Sequence, residues 1–261
     1  MIGFAIARGG STRIKRKNVK MFCGKPLVAW SILQMKCSKN VAPVYLSTDD
    51  DEIAEVGEEY GAIVVRRPVM PNYVTGGIPT AMLFRKLIDE GVTTLDNPIL
   101  SCLPTFPCRL PDDIDKFIEL YWKYGPRPIA AVTCVKDWVS FEMKADGLLH
   151  FRSFDNTGTL YRVNGAFGIS TPRKCLERSY DKEGKIILRG DSMEEAVESQ
   201  KKYPTPPNHP YIMHQWQWLD IDYLEEFELC EMLMKEKILK WDPLPYKHYK
   251  EKWSEADKKM L

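Results

Sequence analysis

Two segments far apart in the chain carry residue types that could act together on a phosphorylated ligand. The first, Arg8-Gly9-Gly10-Ser11-Thr12-Arg13-Ile14-Lys15-Arg16-Lys17-Asn18, combines a glycine-bared backbone with five cations in the eight positions Arg13–Lys20. Backbone N–H groups with lysine and arginine are what a polyphosphate requires. The loop contains neither G-x-x-x-x-G-K-[ST] nor G-x-G-x-x-G, so it is neither a Walker P-loop nor a dinucleotide fingerprint. Taken alone it reads equally well as a solvated basic surface. The second segment, Asp220-Ile221-Asp222, sets two carboxylates at i and i+2, and in extended chain these point to one side. Convergent carboxylates suit Mg²⁺, which takes oxygen ligands and leaves room for water and substrate phosphates. An isolated D-x-D is more often a solvated loop in which Asp222 caps the next helix. A phosphate-suited loop at one strand end and an acidic pair at another form the combination expected for metal-assisted nucleotidyl transfer.

Positioning these groups falls to an alternation of strands and helices. Ile2–Ala7 reads as a buried strand that stops at Arg8-Gly9-Gly10-Ser11. Leu27–Lys36 reads as a helix opened by Pro26, Val44–Leu46 as a strand, and Ser47-Thr48-Asp49 as the start of a helix with Ile53, Val56 and Tyr60 inward and Gly61 at its end. The unit repeats in strand Ala62–Val65, helix Pro79–Glu90, strand Pro98–Leu103, helix Pro111–Tyr124 and strand Ile129–Val135. Such alternation predicts an α/β fold, Rossmann-like and three-layered, with a mostly parallel sheet and the ligand at the carboxyl ends of its strands. Residues 137–164 change to short β-rich pieces around Asp146-Gly147 and Asn156–Gly158, an inserted lobe of the kind that often serves dimerisation. Gly165–Ser170 reads as a returning strand, Met193–Lys201 as a helix, Pro204–Pro210 as a loop and Leu224–Lys240 as the last helix. Residues 1–240 are thus one domain and 241–261 a tail without an assigned role.

Composition limits the function. The 261 residues carry 37 Lys+Arg against 36 Asp+Glu, a net charge of +1, which disfavours a dedicated nucleic-acid binder. A chain of this mass buries about 70% of the roughly 44,000 Å² it exposes when unfolded, enough for one large core. Apolar runs are too short for a membrane span or a signal peptide, so a cytoplasmic protein is expected. Seven scattered cysteines follow no disulfide or zinc spacing and read as reduced thiols, with Cys102 and Cys108 as buried small hydrophobes. His209 and His214 lack a partner at metal-ligand spacing.

Ala7-Arg8-Gly9-Gly10-Ser11, Lys17-Asn18, Gly24-Lys25-Pro26-Leu27, Ser47-Thr48-Asp49-Asp50, Arg67-Pro68, Pro104-Thr105 with Pro107 and Arg109, Asn164-Gly165-Ala166 and Asp220-Ile221-Asp222 follow one another in a telling order. Over about residues 1–235 the chain resembles the cytidylyltransferases that activate nonulosonic acids, the CMP-sialic acid synthetase group. The resemblance implies a homodimeric α/β enzyme that joins CTP to a 2-keto-3-deoxy acid sugar and releases pyrophosphate. It also implies roles. Arg8, the Gly9, Gly10 and Ser11 backbone and Lys17 would hold the triphosphate, with Asn18, Ser47 and Arg67 around cytidine. Asn164 and Arg162 would face the nucleotide or the sugar acid, and Leu103, Thr105 and Phe106 the sugar. Asp220 and Asp222 would hold Mg²⁺, and Arg8 and Lys17 would join them in catalysis.

The departures from that family's pattern are informative. Where it commonly reads Leu-Gln-Pro-Thr-Ser-Pro, this chain has Cys102-Leu103-Pro104-Thr105-Phe106-Pro107, replacing an amide and a hydroxyl with apolar groups. A site that loses such partners loses discrimination for the substituents they read, so an unusual acceptor is expected. Val74 stands where an acidic residue is usual and Thr12 where a lysine is usual, with Arg13 or Lys15 available to restore the charge. Two alternatives remain at this stage: a nucleotidyltransferase for another sugar or nucleotide, or a catalytically silent nucleotide-binding scaffold of the same fold.

Overall fold

A computed structural model describes residues 1–71, 74, 76–125, 129–135, 139–143, 149–154, 160–180 and 209–240. Strand β1 (Ile2–Ala7) leads through the basic loop and a 3₁₀ turn at Lys17–Val19 into a two-stranded hairpin, β2 (Met21–Phe22) and β3 (Lys25–Pro26). Cys23 and Gly24 turn that hairpin at φ of 49° and 81°, which Gly24 adopts without steric cost. There follow α1 (Leu27–Cys37), β4 (Val44–Thr48), α2 (Asp51–Glu59), β5 (Ile63–Arg66), α3 (Gly77–Asp89), β6 (Ile99–Cys102) and α4 (Asp113–Tyr124). The expected alternation is therefore present, each element within two residues or so of its predicted bounds.

β6, β1, β4 and β5 pair in parallel, and β11 (Phe167–Ser170) closes the sheet as an antiparallel edge beside β6, giving the order β11-β6-β1-β4-β5. Helices α1, α2 and α4 cover one face through Ile32, Ile53, Val56, Ile114 and Phe117, and α3 covers the other through Leu83, Phe84 and Leu87. A three-layer α/β/α sandwich results. The chain moves outward from β1 to β4 and β5, then crosses back to place β6 on the other side of β1. In such sheets that reversal opens a crevice at the carboxyl ends of the two strands.

β7 (Ile129–Val135) centres a separate three-stranded sheet, between antiparallel β10 (Leu160–Val163) and parallel β12 (His209–Met213). β12 begins inside the stretch read as the Pro204–Pro210 loop. Its Pro210 is tolerated because, among the described residues, β12 is an edge strand with no further neighbour that needs the missing N–H. Between β7 and β10, β8 (Val139–Met143) and β9 (Leu149–Phe154) form an antiparallel hairpin within the expected lobe. Helix α5 (Pro172–Ser179), unread in the sequence, starts with Pro172 in its first turn after Thr171. The last helix, α6 (Leu224–Leu233), continues as a π-helical turn over Met234–Leu239. The Asp146-Gly147 and Asn156–Gly158 turns, the Met193–Lys201 helix and the 241–261 tail lie outside the described residues.

Candidate active site

Strand register brings the first site residues together. Ala7 pairs with Thr48 and Thr48 with Arg66, so the next residues, Arg8, Asp49 and Arg67, leave three adjacent strands side by side. On the far side of β1, β6 ends at Cys102 and delivers Leu103, Pro104 and Thr105. A small core then carries the acidic pair to the basic loop: Ile14, flanked by Arg13 and Lys15, is buried in one cluster with Ile221, flanked by Asp220 and Asp222. Burying Ile221 turns its two neighbours the other way, as the i, i+2 geometry requires.

At this point lies a cleft of about 560 Å³ lined by Arg8, Ser11, Thr12, Arg13, Lys17, Asn18, Arg67, Thr105 and Asp222, with apolar contributions from Ile6, Ile14, Val74, Pro79 and Leu103. Four cationic side chains against one carboxylate among its lining residues make it a site for a polyanion. Lys17, only 12% exposed, donates through Nζ to the carbonyl of Ile221 and lies 3.4 Å from Asp222 Oδ1. Arg13 pairs with Asp222 Oδ2 at 2.9 Å and rests over the Tyr223 ring. Of the two candidates to replace the missing lysine, Arg13 and not Lys15 lines the cleft. Asn18 is buried and donates from Nδ2 to the Arg8 carbonyl at 3.0 Å, fixing the start of the loop.

Asp220 sits just behind Asp222. Burial pushes its carboxyl above the usual range, a hydrogen bond from the Thr105 hydroxyl opposes this, and the Asp222 charge adds to the rise. Its Oδ1 is buried without a hydrogen-bond partner. An anionic oxygen withdrawn from water and left unpaired is what a hard cation would complete. No group of three or more His, Cys, Asp or Glu side chains at metal-binding spacing occurs among the described residues, so two carboxylates would leave most of such a cation's shell to phosphate oxygens and water.

Several expected contacts are different in the structure. The Gly9 amide donates to Asp49 Oδ1 at 3.0 Å and the Ser11 amide to the Gly9 carbonyl at 3.0 Å, so of the three backbone donors assigned to phosphate only that of Gly10 is left to the role. Gly9 is glycine because a Cβ there would lie 2.2 Å from Asp50 Oδ2. Ser47 is buried inside β4, one residue short of the strand end, and does not line the cleft. Asn164 is also buried: its Oδ1 accepts from Ala166 N at 3.1 Å and its Nδ2 donates to Met213 Sδ, so it shapes the turn into β11. Phe106 is in the main core, where it would meet any Cβ on Gly165, and Arg162 lies over the Trp218 ring away from the cleft. Sequence reasoning gave Asp49 only a place at the start of the following helix, whereas Ser47 and Thr48 belong to β4, Asp50 caps α2 and Asp49 stands at the strand end.

An α/β sandwich with a cation-lined cleft at the strand reversal, Asp222 in its lining and Asp220 behind it defines a protein of the nucleotidyltransferase type. Its fold is that of a solved CMP:2-keto-3-deoxy-manno-octonic acid synthetase complexed with CTP, at a TM-score of 0.66 and 13% identity over 91% of this chain and 99% of that one. Residues 3–81 match the family described as cytidylyltransferase. The CMP-N,N'-diacetyllegionaminic acid synthase of Legionella pneumophila is 26% identical over 205 residues, 74% of this chain and 87% of that protein. The N-acylneuraminate cytidylyltransferase B of Danio rerio is 30% identical over 193 residues, 69% of this chain but 44% of the fish protein. Over the matched residues 3–81 and across these longer alignments the chain is thus similar to cytidylyltransferases.

Proposed function

We propose that this cytidylyltransferase couples CTP to an acidic 2-keto-3-deoxy sugar of the nonulosonic class, giving a CMP-sugar and pyrophosphate. The observation that carries the reading is the meeting of Arg8, Arg13 and Lys17 with Asp222 in one cleft at the strand reversal. The acceptor's anomeric oxygen forms a bond to the α-phosphorus, the bond to the bridging β-phosphate oxygen breaks, pyrophosphate leaves with that electron pair and the hydroxyl proton passes to solvent. Arg8, Arg13 and Lys17 hold the triphosphate in line and neutralise the charge that builds on it. Asp220 and Asp222 would hold Mg²⁺, which when bound supplies charge neutralisation at the phosphates and lowers the pKa of the attacking hydroxyl. Leu103, 40% exposed at the rim, offers the acceptor an apolar contact where the family has an amide.

The test is pyrophosphate release with Mg²⁺, offering CTP, UTP, GTP and ATP in turn against a panel of 2-keto-3-deoxy sugar acids, with Asp220→Asn as control. CTP-selective release that depends on Asp220 supports the reading, and release with a different nucleotide overturns it. We further propose a cytoplasmic homodimer. No helix among the described residues is long and apolar enough to cross a membrane, and the described cysteines are free thiols.

A further inference from the structure

Asp49 takes no part in the reaction as described, yet its carboxylate reaches both walls of the nucleotide side of the cleft. Oδ1 accepts the Gly9 amide of the basic loop at 3.0 Å, and Oδ2 accepts a guanidinium N–H of Arg67 at 3.0 Å. The two side chains are 7% and 5% exposed, so the ion pair is almost wholly withdrawn from water. Such a pair is a weak source of stability, because desolvating both charges offsets most of their attraction. What it does supply is geometry. The other Arg67 nitrogen bonds are few: a 3.4 Å contact to the Ala7 carbonyl, a 3.3 Å contact to the Pro68 carbonyl, and a buried Nε without a partner. The direction of this cleft-lining guanidinium is therefore set chiefly by Asp49. Asp50 divides the labour, turning away to accept from Arg16 and from Ile53 N at the start of α2.

The geometry points to Asp49 as a positioning residue for nucleotide binding: one carboxylate sets the phosphate loop through the Gly9 amide and Arg67 through its guanidinium. The inference rests on the cytidylyltransferase reading. Asp49→Asn keeps the oxygen that Gly9 uses and places an amide donor opposite a guanidinium donor, which displaces Arg67 without adding volume.

Calorimetric titration with CTP and Mg²⁺ of the wild type, Asp49→Asn, Arg67→Gln and the double variant tests it, alongside each protein's melting temperature. Each single variant should weaken CTP binding about tenfold, and the double variant should be little worse than either single, because both remove one linkage. Unchanged CTP affinity in folded Asp49→Asn, or a double variant that multiplies the two losses, overturns the inference. A purely structural role would lower the melting temperature and leave the affinity of the folded protein intact. Should Asp49→Asn fail to fold, Asp49→Ser keeps an oxygen near the Gly9 amide, removes the charge and must show the same loss. A wild type that binds no CTP overturns the enzyme reading and this inference with it, whereas tight wild-type binding with an indifferent Asp49 overturns this inference alone.

Discussion

At Asp222 two cations share one carboxylate, Arg13 on Oδ2 and Lys17 on Oδ1, while Asp220 behind it keeps an unpartnered oxygen. The pair of acids is thus asymmetric, one neutralised by the basic loop and one held by Thr105. Because the Asp222 side chain is 43% exposed, its replacement costs little packing. Asp222→Asn should lower turnover by about a hundredfold or more and leave the melting temperature near that of the wild type. Turnover within a few-fold of wild type would sink the assigned role. Arg13 and Lys17 differ in what they carry. Lys17 is anchored on the Ile221 carbonyl and nearly enclosed, whereas Arg13 is 55% exposed and can transfer its charge from Asp222 to an arriving phosphate. Arg13→Gln should therefore raise the KM for CTP about tenfold and change kcat much less, since one charge-assisted contact to the nucleotide is lost. Steady-state kinetics at saturating acceptor reads both quantities, and an unchanged KM would remove Arg13 from the nucleotide site.

The element that fixes the loop from outside the cleft is α2. Asp50 caps it, accepting from Ile53 N at 3.0 Å, and receives a two-nitrogen grip from Arg16, which also reaches Glu52. Of the loop's cations, Arg16 is thus a tie to a helix and not a phosphate ligand, a distinction that a run of Lys and Arg does not reveal. The Arg16 guanidinium holds the Asp50 carboxyl below the usual range. A carboxyl lowered in the folded state contributes stability above its unfolded pKa, near 3.8, and that contribution is lost as pH falls through the lower folded value. Because Asn keeps the cap oxygen and loses only the charge paired with Arg16, the unfolding free energies of wild type and Asp50→Asn should differ at about pH 7 by up to about 1 kcal/mol and converge in acid below the ordinary carboxylate range. A difference that persists undiminished in acid would show that the charge is irrelevant. At this scale the sequence was most legible. Ile53, Val56 and Tyr60 at helical spacing and the run Ile2–Ala7 report their own burial, so α2 and β1 were readable locally. β12 was not, because Pro210 reads as a breaker until the edge position beside β7 is known, and Asn164 and Ser47 look like ligands until their burial is seen.

For the whole molecule, the two sheets present two different surfaces, one at the cleft and one away from it. Arg8 and Asp222 are more than two hundred residues apart, and their segments meet through the core that Ile14 shares with Ile221 and through the pairing of Arg13 and Lys17 with Asp222. Motif order singled out Arg8, Lys17 and Asp222, which line the cleft, but equally Ser47, Asn164, Phe106 and Arg162, which do not, and it showed none of the contacts between segments. The second sheet presents a different surface. Val163 and Ile212 stand on either side of Val132 in register, 67% and 58% exposed, on a sheet whose β7 and β10 frame the β8–β9 hairpin. Two large aliphatic side chains flanking a strand centre form an apolar row that a soluble monomer seldom leaves to water, and a row of this kind suits an isologous contact between two copies. A glutamate at Ile212 would desolvate a charge at such a contact while remaining solvated in a free protomer. Light scattering should thus give twice 30.1 kDa for the wild type and a shift toward 30.1 kDa for Ile212→Glu, with unchanged melting of the main domain. A wild type of 30.1 kDa at micromolar concentration would mean that the row is solvent-facing and that the lobe serves another purpose. If the dimer forms but survives Ile212→Glu, the contact lies on another face of the molecule.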